Sequence, residues 1–88
     1  MVKVSNMVSS KGNKVANQFI IVIPPYEIFQ SYNTVIAKYD RQFNQIILDN
    51  KWQYSKTTSK YLYQFLGLNR KEIEGKIKTG DIVLKNLN

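Results

Sequence analysis

Residues Phe19-Ile20-Ile21-Val22-Ile23 form an unbroken aromatic and β-branched run that stops at Pro24-Pro25. A run of that length, rich in β-branched residues and closed by proline, reads as a buried strand. Proline has no N–H for a ladder and restricts the residue before it. The next 25 residues leave the chain few options. Tyr26 to Tyr32, Thr34 to Tyr39 and Phe43 to Leu48 are three further strand candidates, with only short turn-like gaps between them. Gaps so short join antiparallel neighbours, so the pattern predicts a β-meander of about four strands. Asn33 is the residue expected to take a left-handed conformation in the second turn.

After Asp49-Asn50 the apolar period lengthens. Leu62, Phe65 and Leu66 fall on one face of a helix. Thr57, Thr58 and Ser59 offer capping hydroxyls at its start, and Gly67 suits its C-terminal cap. Asn69-Arg70-Lys71-Glu72 has the spacing of a capping box for a second helix, with Ile73 and Ile77 on its apolar face and Gly80 at its end. Asp81 to Leu87 reads as extended, an edge strand added to the sheet. Strands first and helices after predict an α+β fold, with both short helices packed on one face of the meander. Residues 1–16 are polar and lack period, so they are expected as a flexible N-terminal segment ahead of a single domain over residues 17–88.

Composition narrows the chemistry. The 88 residues include no cysteine and no histidine. Disulfides, thiolate metal sites, zinc sites built on Cys or His, Ser-His-Asp triads and Cys-His dyads are therefore excluded. The six acidic residues form no recognisable catalytic frame. Gly12-Asn13-Lys14 lacks the second glycine and the spacing of a phosphate loop. The expectation is a protein that is not an enzyme and needs no cofactor. No apolar run approaches the ~20 residues that span a bilayer, and no signal-peptide core is present, so a membrane partner is not expected.

The formal net charge is +7, and it is uneven. Residues 1–50 hold five basic and three acidic side chains; residues 51–88 hold eight and three. A positive field favours polyanions, although solubility alone also accounts for such a charge. The segment Lys51 to Tyr63 carries Lys51, Lys56 and Lys60 with no acid, interleaved with Trp52, Tyr54, Tyr61, Tyr63 and hydroxyl residues. Lysines attract phosphates, hydroxyls hydrogen-bond to them and aromatic rings stack on bases. Arg70 and Lys71 add two cations at the start of the second helix. The candidate anion-binding set is thus Lys51, Lys56, Lys60, Arg70 and Lys71, with Tyr61 or Tyr63 stacking. The competing reading places Trp52 and Tyr54 against the sheet and leaves the lysines solvated.

Several strings also carry a resemblance. They are Phe29-Gln30-Ser31-Tyr32, Val35-Ile36-Ala37, Leu48-Asp49 with Trp52-Gln53-Tyr54-Ser55, Thr57-Thr58-Ser59-Lys60-Tyr61, Phe65-Leu66-Gly67, Ile77-Lys78-Thr79-Gly80 and Asn86-Leu87-Asn88. In series, over about residues 17–88, they resemble a group of small uncharacterised proteins encoded by bacteriophages and bacterial mobile elements. The resemblance implies such an origin and a setting in the host bacterial cytoplasm; it implies no activity.

Together these readings lead to a phage or mobile-element accessory protein that binds nucleic acid or another polyanion through its basic C-terminal half. The alternative is an inhibitor of a host protein, an anti-defence factor, with a nucleotide sponge formed between protomers of a homo-oligomer as its variant.

Overall fold

In the computed structural model, which describes residues 2–88, the Phe19–Ile23 run forms the end of a ten-residue strand inside a six-stranded sheet. The elements are β1 (Lys3–Val8), β2 (Lys14–Ile23), β3 (Tyr26–Ser31), β4 (Thr34–Asp40), β5 (Gln45–Asp49), α1 (Lys56–Leu66), α2 (Arg70–Thr79) and β6 (Ile82–Lys85). The strands lie side by side in chain order. β1 to β5 pair antiparallel, whereas β6 pairs parallel with β5. The two helices supply the long crossover that a parallel neighbour requires. The fold is α+β, with β6 the edge strand expected from Ile82 and Leu84.

The N-terminal segment departs from expectation. Residues 3–8, read from sequence as part of a flexible tail, form β1 against β2, and β2 itself begins at Lys14. Polar residues suffice for an edge strand when the neighbour is as β-prone as β2, because strand preference is set largely by context. Met7 anchors the segment, at 2% exposure. Two turns also differ. Tyr32, not Asn33, has the positive φ of 55° in the β3–β4 turn, and its N–H donates to the Asn17 carbonyl at 2.7 Å. Phe43 is not in a strand. It lies in the turn before β5 at 73% exposure, where the Asp40 carboxylate accepts from the Gln42 and Phe43 N–H groups.

Both helices cover one face of the sheet. Phe65 of α1 stacks on Phe29 of β3 with ring centroids 5.8 Å apart. Thr58 Oγ1 and Ser31 Oγ lie 2.8 Å apart and are buried. Leu62, Ile73, Ile82 and Leu48 complete the core, and Trp52 joins it from the loop after β5. A bulge in β4 places Ile36 opposite no residue of β3, and Ile36 and Ala37 are both fully buried. Gln18 is also fully buried, in register with Ser31, and unlike Ser31 and Thr58 its side-chain amide finds no hydrogen-bond partner among the described residues.

Strand alternation sends the neighbours of these residues to the other face. There Val4, Ile21, Ile28, Lys38, Ile47 and Val83 lie in one row across all six strands. Lys38 Nζ sits 4.0 Å from the centroid of the Tyr26 ring on the same face. Among the described residues no helix covers this row.

Candidate functional site

The loop from β5 to α1 is organised by Asp49. Its side chain is buried at the end of β5, and one carboxylate oxygen accepts from the Lys51 N–H at 3.0 Å. The other accepts from the Leu87 N–H at 2.8 Å and the Asn88 amide at 3.2 Å. Burial alone would raise the pKa of this carboxyl. The backbone donors of Leu87 and Lys51, the Asn88 amide and the charge of Lys51 outweigh it and hold the pKa below the ordinary 3.8. Trp52 N–H donates to the Asp49 carbonyl, and the Trp52 ring turns into the core. Lys51 and Tyr54 remain at the surface, Tyr54 at 55% exposure.

The cap of helix α1 falls ahead of the hydroxyl residues expected to supply it. Ser55 is the N-cap: its hydroxyl accepts from the Thr58 N–H at 3.1 Å and donates to Thr58 Oγ1 at 3.0 Å. Thr58, read from sequence as one of three candidate caps, instead links the cap to Ser31 beneath it. From this start the helix divides into two faces. Thr58, Tyr61 and Leu62 are buried. Lys56, Ser59, Lys60 and Tyr63 follow at i, i+3, i+4 and i+7 along the other side.

That second face forms one wall of a hollow of about 670 Å³, lined by Gln53, Ser55, Lys56, Ser59, Lys60, Tyr63 and Arg70. Three of the candidate cations therefore converge there, from both helices, and no acidic side chain lines it. Arg70 Nε lies 3.6 Å from Glu74 on the exposed side of α2, a contact of small energy at the surface. The other ion pair among the described residues joins Arg41 to Glu27, away from this hollow. Lys51, Lys56, Lys60 and Lys71 form none. Lys60 Nζ stands 5.4 Å from the Tyr61 ring centroid.

Three candidates do not line this hollow. Tyr61 is 6% exposed and part of the hydrophobic core, so it offers no ring to a ligand. The stacking role read for it from sequence is corrected by the helix phase, which turns position 61 inward with Leu62. Lys71 is exposed on α2, where Asn69 and Glu72 close the predicted capping box, but it does not line the hollow. Lys51 lies beside it: a smaller concavity around Lys51, Trp52 and Tyr54 shares Gln53 with the cationic hollow. The sequence reading missed Gln53 and Ser55 as lining residues. The four-residue spacing of Lys56 and Lys60 was the legible signal for the helix face they share.

A separate hollow of about 580 Å³ lies over β3 to β5 near the α1–α2 connection. It is lined by Glu27 and Asp81 as well as Lys76, with Phe65, Leu66 and Leu68. Its lining is of mixed charge, unlike that of the cationic hollow. Among the described residues no group of acidic side chains is placed to hold a metal ion, and no helix is long and apolar enough to cross a membrane.

No curated protein and no solved structure matches the chain. A family described as one of unknown function (DUF8033) matches residues 2–81, a span that takes in β1, the whole meander and both helices. The chain belongs to this family of unknown function.

Proposed function

We propose that the protein acts by binding, and that it holds nucleic acid by its phosphates at the surface formed by Lys56, Lys60 and Arg70, with Lys51 beside it. The observation that carries this reading is the hollow between α1 and α2, which gathers three cations and hydroxyl groups with no acid. Such a site attracts phosphate esters and carries little sequence information. The resemblance to phage and mobile-element proteins fits an accessory role in a host bacterial cytoplasm.

Electrophoretic mobility of labelled DNA, single- and double-stranded, at 50 and 200 mM salt tests it. Affinity should fall steeply with salt. The Lys56→Gln/Lys60→Gln double variant should weaken binding and flatten the salt dependence, with the slope of log K against log salt reduced by about 2. Absence of binding to either form at low salt would sink the proposal.

One observation favours a second reading, inhibition of a host protein. The uncovered sheet face carries Ile21 and Ile28 and, across Lys38, Ile47 and Val83 in one row, and apolar side chains on an open face suit a protein partner. A nuclease-resistant complex from host lysate that Ile28→Asp abolishes would support this reading over the first.

A further inference from the structure

The polyanion reading leaves open which form of nucleic acid the surface takes, and Tyr54 bears on that choice. It lies in the non-helical stretch between Lys51 and Lys56 and is 55% exposed, whereas Trp52, two residues earlier, is buried. Tyr54 also lines two concavities. One, with Lys51 and Trp52, shares Gln53 with the cationic hollow of Lys56, Lys60 and Arg70. The other shares Asn50, Lys51 and Tyr54 with the first and extends to Asn33, Asn86 and Asn88. Shared lining residues thus make the three hollows neighbours on the surface. Lys51 lines both concavities with the exposed Tyr54, Lys56 follows two residues later in the chain, and amide side chains that can donate and accept line the second concavity.

We infer that the ligand of this surface is single-stranded nucleic acid, with Tyr54 stacking an unpaired base between phosphates held by Lys51 on one side and by Lys56, Lys60 and Arg70 on the other. The inference rests on the polyanion reading above and adds to it. A phosphate-only site has no use for an exposed aromatic ring beside its cations. In a duplex the base faces are already stacked on one another, so the ring can contribute only where bases are free. Stacking on an aromatic side chain is tolerant of sequence and adds to each phosphate contact. The amides of Asn33 and Asn50, both exposed, can meet the edge of a splayed base, which a duplex would keep paired.

Fluorescence anisotropy separates these terms. The probes are labelled oligonucleotides of about 12 nucleotides in single-stranded DNA and RNA, the corresponding DNA duplex, and inorganic polyphosphate as a competitor without bases. The intact chain should bind the single strands more tightly than the duplex. Tyr54→Ala should weaken single-strand binding about tenfold, Tyr54→Phe should retain it, and competition by polyphosphate for residual binding should be unchanged. Circular dichroism of each variant controls for folding, which an exposed side chain should not disturb. If Tyr54→Ala leaves single-strand affinity intact, or the duplex binds as tightly as the single strand, the stacking inference falls while the polyanion reading stands. If no nucleic acid binds at low salt, both fall.

Discussion

The carboxylate of Asp49 joins three parts of the chain. It holds the start of the Lys51 loop, the segment after β6 and, through Asn88, the start of β4, where the Asn88 side chain accepts from the Val35 N–H and donates to the Val35 carbonyl. Its pKa is lowered in the folded state, so it contributes stability that is complete above the ordinary value of 3.8 and is lost as pH falls through the lower folded value. Asp49→Asn should therefore cost about 1.5–3 kcal/mol at neutral pH. The difference from the parent should shrink to nothing in strong acid, as read by urea unfolding across a pH series. This role was not legible in the sequence, since the partners lie 38 and 39 residues away. The same limit applies to Tyr54 and Tyr61. Both are tyrosines in a basic stretch, and only the phase of α1 and the anchoring of Trp52 determine which one faces outward.

At the scale of elements, the caps were more legible than the strands. Asn69 with Glu72, Gly67 and Gly80 mark helix ends by chemistry that acts over three or four residues, and all occur as expected. The start of α1 was misplaced because three consecutive hydroxyl residues, Thr57 to Ser59, competed with the true cap. Ser55 has the advantage that its position turns Thr58 and Leu62 toward the sheet together. Ser55→Ala should cost about 1 kcal/mol of stability in urea unfolding, and Ser55→Asp should recover most of it. β1 is illegible in the sequence for a different reason. An edge strand needs pairing on one side only, and the local alternation that marks a strand is weak in Lys3–Val8, where Met7 is the only buried residue. The Asp40–Asn44 turn shows the same weakness: the side chains of Asp40 and Asn44 hold it closed, with Tyr39 Oη donating to Asn44 at 2.6 Å, so the strand after it starts later than hydrophobicity implies.

At the scale of the whole molecule, the two faces of the sheet differ in what they contribute. The strand order and the α+β class could be read from connection lengths and period, but the sequence did not reveal that one apolar face would stay uncovered. Ile47 and Leu48 are neighbours in β5 and point to opposite faces. Leu48 is fully buried under the helices, while Ile47 lies half-buried in the open row. Leu48→Ala should cost about 2–5 kcal/mol and Ile47→Ala about 1 kcal/mol, measured by urea unfolding. Equal costs would mean that the open face is covered in solution, for instance by a second copy of the chain. The parallel pairing of β6 has a consequence of its own. Connections of two to five residues join β1 through β5, so those strands can zip up from one hairpin to the next with little loss of entropy. β6 meets β5 only across the stretch that holds both helices, the longest connection between neighbouring strands of the sheet. The strand with the longest loop to close is thus the one whose following segment is fastened to its neighbour, with the Asp49 carboxylate as the clasp.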